Sequence, residues 1–253
     1  MPRSESERPA HLRPDSSPAH FATTHWSVVL ATRGSDEPRA IEALERLCRT
    51  SWYPIYAYLR RRGCSEHDAQ DLTQGFFVQL LERRTIQRAE REKGKFRSYL
   101  LASLNYYLAD QRDRAQAEKR GGGRVAFSLD VAEAEQRYRL EAVDDRSPEK
   151  IFEQRWAMTL LDQVLARLRQ EFGDAGKRAL FERLQTLLVE GTVDKSLAEL
   201  AHEAGMTEEA MKKAVQRMRR RYGQLFREEV AHTIANPAGV EEELRHLCQV
   251  LRP

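Results

Sequence analysis

SLAELAHEAGMTEEAMKKAVQRMRRRY, residues 196–222, is the stretch that decides how the chain is read. Leu197, Leu200 and Ala201 give a short amphipathic helix. Gly205 suits a tight turn, and Met206 is placed to pack inward. Thr207 can then cap a second helix, with Glu208 and Glu209 in the first turn, where the helix dipole favours anions. This is the pattern of a helix-turn-helix, whose second helix lies in the major groove. On that second helix Ala210, Ala214, Val215 and Met218 recur at spacings that bury one side. Lys212, Lys213, Gln216, Arg217, Arg219, Arg220 and Arg221 occupy the rest, with no acid among residues 212–221. Long cations reach phosphates, and Gln and Arg also read base edges. The plainer reading is a solvated basic face; the Gly-Met-Thr turn in register favours DNA.

Working outward, helical periodicity dominates and no stretch alternates like a strand. A helix is expected from Phe21, carrying Trp26, Val28 and Leu30. A second carries Ile41, Leu44, Leu47 and Cys48 and runs to Leu59, bent near Pro54. A third starts at Ser65 with a stripe of Ala69, Leu72, Phe76 and Leu80, and a fourth covers residues 96–119. Residues 121–148 open with three glycines and hold Asp130, Glu133, Glu135, Glu141, Asp144 and Asp145, which reads as a linker. Phe152, Trp156, Leu160, Val164 and Leu168 mark a long helix, and residues 178–188 another. The expectation is an all-α chain of two helical domains, 21–120 and 149–230, joined by a flexible linker. Residues 1–20 form a disordered tail and 231–253 a C-terminal extension.

With 253 residues, 42 Lys plus Arg, 39 Asp plus Glu and a formal net charge of +3, the total charge identifies no polyanion partner. No apolar run spans a bilayer and the start of the chain has no signal-peptide core, which reads as a cytoplasmic protein without membrane contact. Cys48, Cys64 and Cys248 are widely spaced and form no CxxC pair, so buried free thiols are expected rather than zinc or disulfides. No metal or other cofactor is implied.

Two further stretches carry signals. KFRSYLLASLNYYLADQRDRAQAEKR, residues 95–120, interleaves Phe96, Tyr99, Tyr106 and Tyr107 with Lys95, Arg97, Arg112 and Arg114. Such a pattern suits unstacked bases of single-stranded DNA, although the same aromatics can serve a bundle core. DAQDLTQGFFVQLLER, residues 68–83, is an amphipathic helix with Asp71 and Gln74 off its stripe. Together the three stretches resemble the sigma-70 family of RNA polymerase sigma factors, in its extracytoplasmic-function group. DAQDLTQGFFVQLL resembles the core-polymerase-binding helix. KFRSYLLASLNYYLADQRDR resembles the promoter-melting helices, where a tryptophan often stands at the place of Tyr99. The last stretch resembles the reader of the minus-thirty-five element.

The resemblance covers roughly residues 40–120 and 150–228 and implies a region 2-like bundle and a region 4-like helix-turn-helix domain. It implies core RNA polymerase and promoter DNA as partners, no enzymatic activity, and leaves an anti-sigma factor or other regulator open. Asp68, Asp71, Gln74 and Phe77 would contact the polymerase clamp. Tyr99, Asn105, Arg112 and Arg114 would serve the minus-ten element, with Asn105 lining the pocket of a flipped base. Thr207, Lys212, Lys213, Gln216, Arg217 and Arg220 would face the minus-thirty-five element. The acidic linker would thread through polymerase channels used by RNA. Departures are Gly75, where the family usually has an acid, a longer stretch over residues 173–193, and the tail after Glu229.

Three other readings stand beside this one. A helix-turn-helix regulator acting without core polymerase leaves residues 68–120 unexplained. A nucleic-acid enzyme has acids and histidines to draw on (Asp68, Asp71, His202) but no nucleophile motif, metal spacing or phosphate loop. A helical protein-binding adaptor does not need the basic run. In the tail, Val240, Leu244, Leu247 and Leu251 recur at helical spacing. That stripe either completes the core of its own DNA-binding domain or docks across both domains, with Glu241, Glu242 and Glu243 against Arg219, Arg220 and Arg221.

Overall fold

The computed structural model describes residue 26 and residues 38–82, 94–117, 131–140, 146–189 and 196–252. Among the described residues the chain is all-helical. Its α-helices are α1 (Pro38–Arg61), α2 (Glu66–Glu82), α3 (Phe96–Ala117), α4 (Val131–Leu140), α5 (Pro148–Asp174), α6 (Arg178–Val189), α7 (Leu197–Glu203), α8 (Glu208–His232) and α9 (Val240–Val250). No described helix is long and apolar enough to cross a membrane. Apart from Trp26, which is helical and buried, the helix expected from Phe21 lies outside the described residues, as does the tail 1–20.

Helix α1 is continuous through Pro54. Tyr53 and then every residue from Ile55 to Leu59 is buried, so this half of α1 is covered on all sides, as a central helix must be. It packs most extensively on α5 and next on α2. A Schellman turn ends it: Cys64 N–H donates to Leu59 O and Gly63 N–H to Arg60 O, with Gly63 at φ 88°. Ser65 then caps α2, its hydroxyl accepting from Asp68 N–H at 3.1 Å.

Two apolar clusters organise the molecule, and α5 and α8 run through both. The first gathers α1, α2, α3, the α5 residues Ile151, Phe152, Trp156, Ala157 and Leu160, and the end of the chain through Val230, Ile234, Val240 and Leu247. The second gathers Val164 and Leu168 of α5, Phe181, Leu184 and Leu187 of α6, Leu200 and Ala201 of α7, and Met211, Ala214, Val215, Met218 and Leu225 of α8. Burying each such large side chain stabilises by about 1.5–3 kcal/mol relative to leaving it exposed. Both units therefore rest on shared helices.

The stretch read as linker holds α4, which is docked. Glu135 is buried, accepting from Tyr56 Oη at 2.5 Å and from Arg60 at 3.0 and 3.1 Å. Arg137 lies over the Tyr53 ring, 4.5 Å from its centroid. Sequence composition shows that this stretch is acidic; it does not show that one acid has an arginine and a tyrosine waiting on α1. None of the three cysteines is in a disulfide; only Cys48 is buried, and Cys248 is exposed.

Candidate nucleic-acid interface

Residues 196–222 form two helices around a tight turn. Ser196 and Glu199 make a reciprocal capping box: Glu199 N–H donates to Ser196 Oγ at 3.2 Å, and Ser196 N–H donates to Glu199 Oε2 at 2.7 Å. After α7, Met206 N–H donates to Ala201 O at 2.9 Å and Gly205 N–H to His202 O at 3.1 Å, with Gly205 at φ 64°. A side chain there meets the steric cost of left-handed backbone. Thr207 Oγ1 accepts from Ala210 N–H at 3.2 Å and so starts α8. The buried side of α8 is Met211, Ala214, Val215 and Met218, so Met211 replaces the expected Ala210, which is only half-buried.

Lys212, Lys213, Gln216, Arg217, Arg219 and Arg220 are exposed on α8, and Thr207 stands exposed at its start. Lys212 pairs with Glu208 at 2.6 Å and Lys213 with Glu209 at 2.7 Å, one turn back in each case. Exposed pairs of this spacing contribute about 0.3–0.5 kcal/mol, so a phosphate can replace the carboxylate. Arg217 and Arg220 meet no acid among the described residues. Arg221 belongs to a different class. It binds Glu171 of α5 at 2.6 and 2.8 Å and Glu228 at 3.4 Å. The hydrogen bond to Glu171 raises the Arg221 pKa and that from Arg221 holds the Glu171 carboxyl below its ordinary value. The last arginine of the run therefore ties α8 to α5.

The second candidate face, α2 with α3, divides in the same way. Asp68 is exposed and bound to its own cap, with Ser65 Oγ donating at 2.7 Å. Asp71 and Gln74 are half-buried, and His67 stands 3.6 Å from Asp71. Phe77 is 1 % exposed, its ring 5.2 Å from that of Phe76. A side chain so enclosed serves the core and offers little surface to a partner. Gly75 has a packing reason: a Cβ there would run into Tyr107 Oη.

Tyr99 is 9 % exposed, with its ring 5.0 Å from Trp26. Burial pushes its hydroxyl up to about 12. It is a core aromatic and offers little stacking surface. Tyr106, 77 % exposed, is the aromatic that α3 does present. Asn105 is exposed, with Oδ1 accepting from Arg62 at 3.0 Å and from Tyr58 Oη at 3.1 Å. Arg112 is exposed, and the Arg114 side chain lies outside the described residues.

An open groove of about 760 Å³ runs beside Asn105. Its walls include Ser98, Leu101 and Asn105 of α3, and Asn236, Gly239 and Glu242 from the end of the chain. The acid run of the tail meets other cations than expected. Glu241 pairs with Arg227, Glu242 with Lys95 at 3.1 Å, and Glu243 with Arg97 at 2.5 Å and Lys95 at 3.0 Å. Glu243 is 1 % exposed. Burial pushes its carboxyl up, but the hydrogen bonds from Arg97 and Lys95 outweigh this and hold it below the ordinary value. The sequence signal for this contact is that Glu243 falls one turn from Val240 and from Leu247, on the buried side of α9.

No family model, curated protein or solved structure matches the chain.

Proposed function

We propose that this protein is an alternative sigma factor, which binds core RNA polymerase and directs it to promoter DNA. The observation that carries the reading is the exposed cationic side of α8 directly after the Gly205–Met206–Thr207 turn. That placement gives Lys212, Lys213, Gln216, Arg217 and Arg220 the reach of a recognition helix toward phosphates and base edges. Asn105, Arg112 and the exposed Tyr106 on α3 suit the melted strand, and Asp68, Asp71 and Gln74 on α2 suit the polymerase clamp. Its partners are then core polymerase and promoter DNA in the cytoplasm, with a separate anti-sigma factor or other regulator as a further candidate.

A helix-turn-helix regulator that never meets core polymerase is the second reading, favoured by the burial of Phe77. Size-exclusion chromatography of the chain with core RNA polymerase separates the two. The sigma reading expects stable co-elution that weakens in Asp71→Ala and Gln74→Ala; the second expects DNA binding and no co-elution.

A further inference from the structure

The end of the chain is held on the start of α3 by three kinds of contact. Backbone pairs first: Lys95 and Ile234 form an isolated antiparallel bridge, Phe96 N–H donates to Thr233 O at 2.8 Å, and Ala235 N–H donates to Gly94 O at 2.7 Å. Carboxylates follow, with Glu243 shared by Arg97 and Lys95, and Glu242 on Lys95. Arg97 is also held by Glu153 of α5 at 2.5 Å. Apolar side chains complete it, Val240 and Leu247 lying in the same cluster as Phe96, Leu100 and Trp156.

Lys95 and Arg97 belong to the cation–aromatic stretch that suits a DNA strand, yet their donors are already taken by carboxylates. An acid run on two adjacent cations makes the charge-assisted hydrogen bonds that phosphates would make. The segment also supplies one wall of the groove beside Asn105. We propose that residues 233–250 are a built-in acidic substitute for nucleic acid, closing the α3 face until they are displaced. This rests on reading α3 as a single-strand-binding face. The clasp has a second effect through α8, a rod of about 37 Å at 1.5 Å per residue, which carries the helix-turn-helix at one end and the clasp at the other. Closure therefore adds a second tie, beside α5, between the two DNA-facing surfaces.

A face that is open for only a fraction of the time binds with an affinity lowered by that fraction. A closed state favoured tenfold thus weakens binding about tenfold. The direct test locks the clasp. Gly94 and Ala235 oppose each other across the bridge, where antiparallel partners stand about 5.5 Å apart, within disulfide range. A Cβ at Gly94 meets nothing within 4 Å, so a side chain fits there, and closure of the new disulfide is verified by thiol titration before binding is read. In full-length protein carrying Gly94→Cys and Ala235→Cys, with Cys64→Ser and Cys248→Ser, binding of a fluorescent single-stranded oligodeoxynucleotide is measured oxidised and after reduction. The oxidised form should bind at least about tenfold more weakly than the same protein reduced. In parallel, Glu243→Gln should bind more tightly than the unaltered chain and exchange the Phe96 and Ala235 amide protons faster.

Equal binding in the two redox states overturns the proposal, as does failure of both to bind the oligonucleotide. Because the lock compares one sequence with itself, it stands even if Glu243→Gln does not fold. Reduced protein that gains single-strand affinity yet forms no complex with core polymerase keeps the closure and removes the polymerase reading.

Discussion

The two candidate DNA faces of this chain are built from similar residues and are in opposite states. On α8, Lys212, Lys213, Arg217 and Arg220 are exposed, and the two lysines are paired only to exposed acids one turn away. At the start of α3, Lys95 and Arg97 are engaged by carboxylates brought from the far end of the chain, one of them buried. A cation whose partner is a local, solvated acid remains available to a phosphate. A cation paired with a buried carboxylate must first lose a partner that cannot be left behind uncompensated.

The largest effect is expected on α2. If Phe77 is core, Phe77→Ala costs about 3–5 kcal/mol of stability in urea unfolding, as for other buried aromatics. If it were a polymerase contact instead, stability would hold and only co-elution would suffer.

The next largest effect is acid release of the buried carboxylates. Glu243 faces Arg97 and Lys95, with Glu242 beside it on α9; Glu153 of α5 reaches Arg97 and also His246. Glu135 faces Tyr56, Arg60 and Arg139. Both carboxyls are held below their ordinary value, by hydrogen bonds that outweigh burial. Their contribution is therefore complete above the unfolded glutamate pKa of about 4.3 and is lost as pH falls through the lower folded values. Thermal melts should show this contribution unchanged from pH 7 to 5 and falling below about pH 4. A loss centred near neutrality would contradict the assignment.

Smaller again is Gly75→Ala. Pressing a methyl group against Tyr107 Oη should cost about 1–3 kcal/mol, the usual penalty of overpacking. An unchanged melting temperature would mean that α2 and α3 are not in close contact there.

The smallest effect on stability sharpens the open face. Lys213→Ala and Arg217→Ala should each change stability by less than about 0.5 kcal/mol. Each lost phosphate contact should flatten the log–log salt dependence of duplex binding by about 0.9. Gel shifts at several salt concentrations measure it, and a loss confined to one base position would make that residue a base reader instead.

How much of this the sequence discloses follows the range of the contacts. Residues 196–222 are legible because the cap, the glycine turn and the buried side of α8 are all set locally. Even there the burial pattern shifts by one residue, since Met211 fills the core better than Ala210. On α2, the stripe of Ala69, Leu72, Phe76 and Leu80 is too narrow: Thr73 and Phe77 are buried as well, because α2 is covered from two sides. Tyr99 reads equally as core or as DNA-facing until Trp26, distant in sequence, packs against it. Glu135 and Glu243 read as solvated acids because Tyr56 and Arg60, which hold the first, and Arg97, which holds the second, lie more than seventy residues away.

Under the proposed function, this chain endows core polymerase with promoter choice. That reading is tested most directly by adding the purified protein to core RNA polymerase on genomic DNA and mapping transcript 5′ ends. A sigma factor should give new start sites that share two upstream elements, with use of the upstream element lost in Lys213→Ala/Arg217→Ala. A map identical to that of core polymerase alone would contradict it.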